Sequence, residues 1–121
     1  MTTIREVMST EIVTVGDSST VAEAATVMGG RHVGSALVIE DGRLIGIFTE
    51  RDILRALASD FDAAGHVVAQ WMTRDPATVG PDEPLTRARD TMLDRGFRHL
   101  PVVEDGRVLG IVSLRDLTAG D

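Results

Sequence analysis

The chain contains no cysteine and no lysine. Without cysteine there is no disulfide framework, no thiolate metal site and no sulfur nucleophile, a composition that suits a reducing, cytoplasmic location. No apolar run approaches the roughly 18 residues of a membrane-spanning helix. The opening Met1-Thr2-Thr3-Ile4-Arg5-Glu6 lacks the basic start and apolar core of a signal peptide. Basic charge is scarce: 12 arginines stand against 19 acidic residues, for a net charge of −7. Such a chain is a poor general nucleic-acid binder, because phosphate contacts need a basic face. An anionic ligand would have to rely on local arginines, backbone N–H groups or helix ends. Neither a Gly-x-Gly-x-x-Gly fingerprint nor a phosphate-loop Gly-Lys-[Ser/Thr] is present. No serine, histidine and acid share a nucleophile context. His32, His66 and His99 lie far apart without metal-ligand spacing. Neither an enzyme nor a metal site is expected.

What is present is the same pattern written twice. Residues 7–54 lie on residues 71–118 at a constant offset of 64 without a gap. Thr14-Val15-Gly16 meets Thr78-Val79-Gly80, Glu40-Asp41-Gly42-Arg43 meets Glu104-Asp105-Gly106-Arg107, and Gly46-Ile47 meets Gly110-Ile111. About a third of the aligned positions are identical. One copy, about 60 residues, makes only a marginal core, so two copies are expected to pack together. The repeats are taken as residues 1–62 and 63–121, joined by a small, polar linker over 59–65.

Within a copy the order is a helical turn, then strand, helix, strand, strand, helix. Ile12 to Val15 is β-branched and reads as a strand. Val21, Ala24, Ala25 and Met28 recur at helical spacing after the cap candidates Asp17 to Thr20, and Gly29-Gly30 is expected to stop that helix. In the second copy Leu85, Ala88, Met92 and Leu93 form the stripe, with Pro84 in the first turn. Ser35 to Glu40 and Arg43 to Phe48 flank Asp41-Gly42, a type I′ hairpin signal. Thr49 opens a helix with Ile53, Leu54, Leu57 and Ala58 on its apolar side. Met8, Met28, Met72 and Met92 fall at equivalent positions, which argues for core packing. Trp71 stands where the first copy has Val7 and is read as core or dimer interface.

The segment that could carry chemistry is Gly-Ile-x-[Thr/Ser]-x-Arg-Asp, at Gly46 to Asp52 and at Gly110 to Asp116. One reading is purely structural: Thr49 with Asp52, and Ser113 with Asp116, have capping-box spacing. The other is functional. A helix start attracts phosphate, a hydroxyl there can meet a ligand oxygen, a carboxylate one turn on can accept from a ribose diol, and Arg51 or Arg115 can pair with phosphate. Gly46 and Gly110 would let backbone come close.

Together these pieces resemble tandem CBS domains, the Bateman module, over nearly the whole chain. The resemblance rests on Met8 and Met72, the Thr-Val strands, the Asp-Gly hairpins, the Leu100-Pro101-Val102-Val103 strand, and the two Gly-Ile-x-[Thr/Ser]-x-x-Asp segments. It implies an α+β fold: two β-α-β-β-α units packed sheet to sheet with pseudo-two-fold symmetry. It implies two inter-repeat clefts for an adenosine-containing ligand of the AMP, ADP or ATP class, with S-adenosylmethionine or NAD less favoured. Asp52 and Asp116 would then hold ribose hydroxyls, and Thr49 and Ser113 would line ribose or phosphate. Thr14-Val15 and Thr78-Val79 would offer backbone to the adenine edge. Gly34-Ser35-Ala36 and Arg98-His99-Leu100-Pro101 would line the mouths. The copies differ there: Arg98-His99 is a basic pair followed by proline, whereas Gly34-Ser35-Ala36-Leu37 is neither. The clefts are therefore expected to be inequivalent. The resemblance also implies a homodimer and, with no further domain in the chain, a regulatory output in trans on a protein effector. The rival reading is a dimeric scaffold with degenerate clefts.

Overall fold

Two Asp-Gly turns organise the fold. Asp41 and Gly42 have φ of 52° and 76°, and Asp105 and Gly106 have 51° and 78°. Positive φ at both central residues is the type I′ turn, whose twist matches that of the flanking strands. The computed structural model describes residues 1–119, so 120 and 121 at the end of the second repeat lie outside it. The first turn joins β2 (Ser35–Glu40) to β3 (Arg43–Thr49), and the second joins β5 (His99–Glu104) to β6 (Arg107–Ser113). Both hairpins carry a register shift at the same repeat position, Val38/Ile39 and Val102/Val103.

The chain forms two compact bodies, Val13–Pro76 and Met1–Ile12 with Ala77–Asp121. In the first, β1 (Thr14–Val15) runs parallel to β2, and β4 (Thr73–Arg74) runs antiparallel to β3, giving the order β1-β2-β3-β4. In the second, Val79 bridges Val102 in parallel and Ser9 bridges Ile111 antiparallel, which gives the same order around β5 and β6. The bodies are thus offset from the sequence repeats 1–62 and 63–121. Each body is built from one repeat's hairpin and the other repeat's lead-in segment.

The motif glycines make this possible. A Cβ on Gly46 would stand 2.7 Å from Met72 Sδ and 2.9 Å from the Thr73 carbonyl oxygen, and one on Gly110 would stand 2.5 Å from the Ser9 carbonyl oxygen. The close approach expected at these glycines is therefore made by the protein's own lead-in segments.

α3 (Glu50–Ser59) and α5 (Leu114–Ala119) follow the two hairpins. α1 (Ile4–Val7), α4 (Leu85–Arg95) and α5 belong to the second body, and α2 (Val21–Arg31) and α3 to the first. Val21, Ala24 and Met28 on α2, and Leu85, Ala88 and Met92 on α4, are buried as their spacing predicts. Met72 is buried too, and Met8 packs against the second core.

Four local expectations are corrected. α2 runs through Gly29-Gly30 and ends at His32, which takes the left-handed conformation that Gly96 takes after α4. Pro84 is the residue before α4, outside its first turn. Ala56 and Asp52 form the buried face of α3, leaving Leu54 and Leu57 exposed. The linker is ordered: Phe61–Gly65 is a 3-10 helix whose Ala63 is fully buried in the first core. No helix of the described residues is long and apolar enough to cross a membrane.

Candidate functional site

In each body the motif residues meet at one end of a sheet. In the first, Ser35 pairs with Thr49 across the hairpin, and the Glu50 amide donates to the Gly34 carbonyl at 3.0 Å. β1 enters beside β2 from the same end, with Thr14 opposite Leu37 and Val15 opposite Val38. This gathers Thr14, Val15, Gly34, Ser35, Ala36, Thr49, Arg51 and Asp52. In the second body His99 pairs with Ser113, and the Leu114 amide donates to the Arg98 carbonyl at 2.8 Å. The Val79 amide donates to the Pro101 carbonyl at 3.1 Å. Thr78, Val79, Arg98, His99, Leu100, Pro101, Ser113, Arg115 and Asp116 thus share the corresponding end. Thr14, Arg51, Thr78, Arg98 and Arg115 are exposed, whereas Ser35, Ala36, Asp52, Val79, Leu100 and Pro101 are buried. The remaining motif residues are half-buried.

Both capping boxes form. Asp52 Oδ2 accepts from the Thr49 amide at 2.9 Å and from the Thr49 hydroxyl at 3.2 Å, while Thr49 Oγ1 accepts from the Asp52 amide at 3.4 Å. Asp116 Oδ2 accepts from the Ser113 amide at 2.9 Å, and Ser113 Oγ accepts from the Asp116 amide at 3.1 Å. Each box satisfies two backbone donors that a helix start leaves unpaired. The carboxylate in the first turn of α3 also complements that helix's positive end. The structural reading of Thr/Ser-x-x-Asp is therefore realised in both copies. It leaves the functional reading dependent on each carboxylate's other oxygen.

There the bodies differ. Asp52 Oδ1 accepts from Arg55 Nη1 at 2.9 Å. The residue at the place of Arg55 in the second repeat is Ala119, which carries no charge. Arg55 also stands over the Trp71 ring at 5.7 Å from its centroid. Trp71 is stacked with His66 and donates its Nε1–H to His66 Nδ1 at 3.3 Å, and His66 Nε2 lies 3.4 Å from Asp60 Oδ2. The indole donor fixes Nδ1 as an acceptor, which puts the imidazole proton on Nε2, facing Asp60. Sequence reasoning missed this cluster. The one available signal was Arg55 at i+3 from Asp52, a spacing at which helix side chains meet.

No group of three or more His, Cys, Asp or Glu among the described residues could hold a metal ion. No buried side-chain nitrogen or oxygen among them lacks a hydrogen-bond partner.

The CBS domain model matches residues 4–59 and 67–119. A 17.7 kDa protein from Acidianus ambivalens is 41% identical over 119 residues, covering 96% of this chain and 71% of that protein. The CBS domain-containing protein YhcV of Bacillus subtilis is 35% identical over 118 residues, covering 97% of this chain and 84% of that one. The chain spans only 40% of protein MJ1225 of Methanocaldococcus jannaschii, to which it is 36% identical over 114 residues. Among solved structures, the CBS-domain protein ATU1752 from Agrobacterium tumefaciens has a TM-score of 0.91 at 30% identity, covering 98% of this chain and 92% of that one. The CBS domain pair of protein MJ0100, in complex with 5′-methylthioadenosine and S-adenosyl-L-methionine, has a TM-score of 0.89 at 28% identity, covering 98% and 94%. The chain therefore belongs to the CBS domain family and carries two CBS domains in tandem.

Proposed function

We propose that this CBS pair is a regulatory module that binds an adenosine-containing ligand, of the AMP, ADP or ATP class, and passes the signal to a protein effector in trans. The observation that carries the reading is the gathering of Thr78-Val79, Arg98 to Pro101 and Ser113 to Asp116 at one end of a sheet. The complex of the MJ0100 pair with two adenosine compounds supports the ligand class. In this reading Asp116 and Ser113 take the sugar, Arg98, His99 and Arg115 face the phosphates, and the Thr78-Val79 backbone meets the base. Asp52, Thr49, Arg51, Thr14-Val15 and Gly34 to Ala36 are the counterparts in the first body. The ligand acts by population shift, favouring the arrangement of the module that binds it better. The working form is a homodimer in the cytoplasm.

Thermal melting with AMP, ADP, ATP, S-adenosylmethionine and NAD tests the reading. A ligand at 100 times its dissociation constant adds about 2.7 kcal/mol, a shift on the order of 10 °C for a chain of this size. The shift should vanish in a folded Asp116→Ala protein. No shift with any of the five leaves a dimeric scaffold, the reading that the closed capping boxes favour.

A further inference from the structure

The two bodies differ in who owns the second oxygen of the motif carboxylate. In the first, Thr49 uses Asp52 Oδ2 and Arg55 uses Oδ1 at 2.9 Å. A sugar diol needs those acceptors, so a ligand there must compete with a guanidinium for Oδ1. Building on the adenosine reading, we propose that Arg55 is an internal latch that reserves Asp52 and makes the first body's site the weak one.

The latch is braced from one side only. Asp52 is nearly buried, with 7% of its side chain exposed, while 57% of the Arg55 side chain remains in solvent. The carboxylate is therefore fixed and the arginine is the part that can swing away. Trp71 keeps it in place: a guanidinium over an indole face is held by the ring quadrupole, at 5.7 Å here. His66 holds the indole by stacking and by the Nε1–H bond, and Asp60 anchors the far side of the imidazole.

The second body lacks the device. Ala119 stands in place of Arg55, Val7 in place of Trp71 and Thr2 in place of His66. These changes run opposite to the mouth residues, where the second repeat has Arg98-His99 and the first Gly34-Ser35. The body with the phosphate-facing pair is the one without the latch. Arg55 is thus a specificity-determining residue that acts through Asp52.

Calorimetric titration with AMP, ATP and S-adenosylmethionine separates the outcomes, using wild type, Asp116→Ala, Arg55→Met, and Asp116→Ala with Arg55→Met. Methionine keeps an apolar stem over Trp71 and removes the charge, and circular dichroism checks the fold. Wild type should bind one equivalent, and Asp116→Ala should lose it. Arg55→Met should bind two, and the double variant should regain one equivalent about tenfold or more tighter than Asp116→Ala alone, the scale of one charge-assisted hydrogen bond. Two equal sites in wild type, or a double variant no better than Asp116→Ala, overturns the latch while leaving the adenosine reading intact. Binding by Arg55→Met with none by wild type supports the latch and refutes the second body's site. No binding by any of the four proteins overturns both.

Discussion

Leu37 donates its amide to the Val13 carbonyl at 2.8 Å, and Pro101, which holds the same place in the second repeat, has no amide to donate. The other two ladder bonds persist: Val79 N–H to the Pro101 carbonyl and Val103 N–H to the Val79 carbonyl, at 3.1 and 2.9 Å. β5 therefore supplies no donor to the Ala77 carbonyl, next to the backbone assigned to the adenine edge. The exocyclic 6-amino group of adenine can fill that role, whereas the 6-oxo group that replaces it in hypoxanthine only accepts. AMP should bind about tenfold tighter than IMP, the scale of one hydrogen bond left unmade in a desolvated site. Pro101→Leu, which copies the first repeat, should erase that preference. Competition titration reads both; equal affinities for AMP and IMP in wild type would rule the idea out.

Gly46→Ala and Gly110→Ala should each destabilise the fold by about 1–3 kcal/mol through overpacking. Gly110→Ala should cost more. Its added methyl meets the Ser9 carbonyl oxygen at 2.5 Å, whereas the one at Gly46 meets the Thr73 carbonyl oxygen less closely, at 2.9 Å, and otherwise the Met72 thioether at 2.7 Å. A thioether can change rotamer; a paired strand cannot. Urea midpoints measure the order. A Gly110→Ala protein as stable as wild type would mean that the lead-in segment does not lie against β6.

Much of this was legible because it is local. Asp41-Gly42 and Asp105-Gly106 announce their turns by needing positive φ at both residues, and the hydroxyl and carboxylate of each capping box sit three residues apart. The exchange of lead-in segments was not legible. Thr73-Arg74 and Ser9 are too short to carry a strand pattern, and their pairing with β3 and Ile111, beside the close approaches at Gly46 and Gly110, is a long-range contact. α3 misled for a related reason. Its leucines look like a core face, yet Leu54 and Leu57 are 69% and 48% exposed, because the capping box turns Asp52, and with it Ala56, inward. The latch joins Asp52, Arg55, Asp60, His66 and Trp71 through a linker whose composition suggested no structure.

Thr20→Ala should cost about 1 kcal/mol at neutral pH, the usual worth of an N-cap hydroxyl. Thr20 Oγ1 accepts from the Glu23 amide at 3.1 Å, and Glu23 Oε1 accepts from the Thr20 amide at 2.9 Å. That amide bond, with a smaller part from the Thr20 side chain, holds the Glu23 carboxyl below its ordinary 4.5. A lowered folded-state value stabilises above the unfolded value and loses that stabilisation as pH falls through the folded one. Thr20→Ala keeps that amide and loses only the smaller side-chain part, so the gap between the two proteins should narrow only slightly below pH 4.5. A gap constant down to full protonation would show that the side-chain part does not depend on the charge.

Glu40 should behave in the opposite sense. It shares a hydrogen bond with Asp17, and that bond and the Asp17 charge, with a smaller part from Asp41, push its carboxyl above 4.5 despite an opposing pull from Arg74. The folded state then binds the proton more tightly than the unfolded chain. Stability contributed by the shared proton is fully present below the unfolded value and is lost as pH rises through the folded one. Above both values the carboxylates face each other charged, and like charges at close range repel. Glu40→Gln removes a charge while keeping an amide that can donate to Asp17. Its urea midpoint should exceed that of wild type at neutral pH, and the gain should shrink as pH falls toward 4.5. Added salt should shrink it too, since both groups are exposed enough to be screened. A Glu40→Gln protein less stable than wild type at neutral pH would mean that Arg74, not Asp17, dominates the surroundings of Glu40.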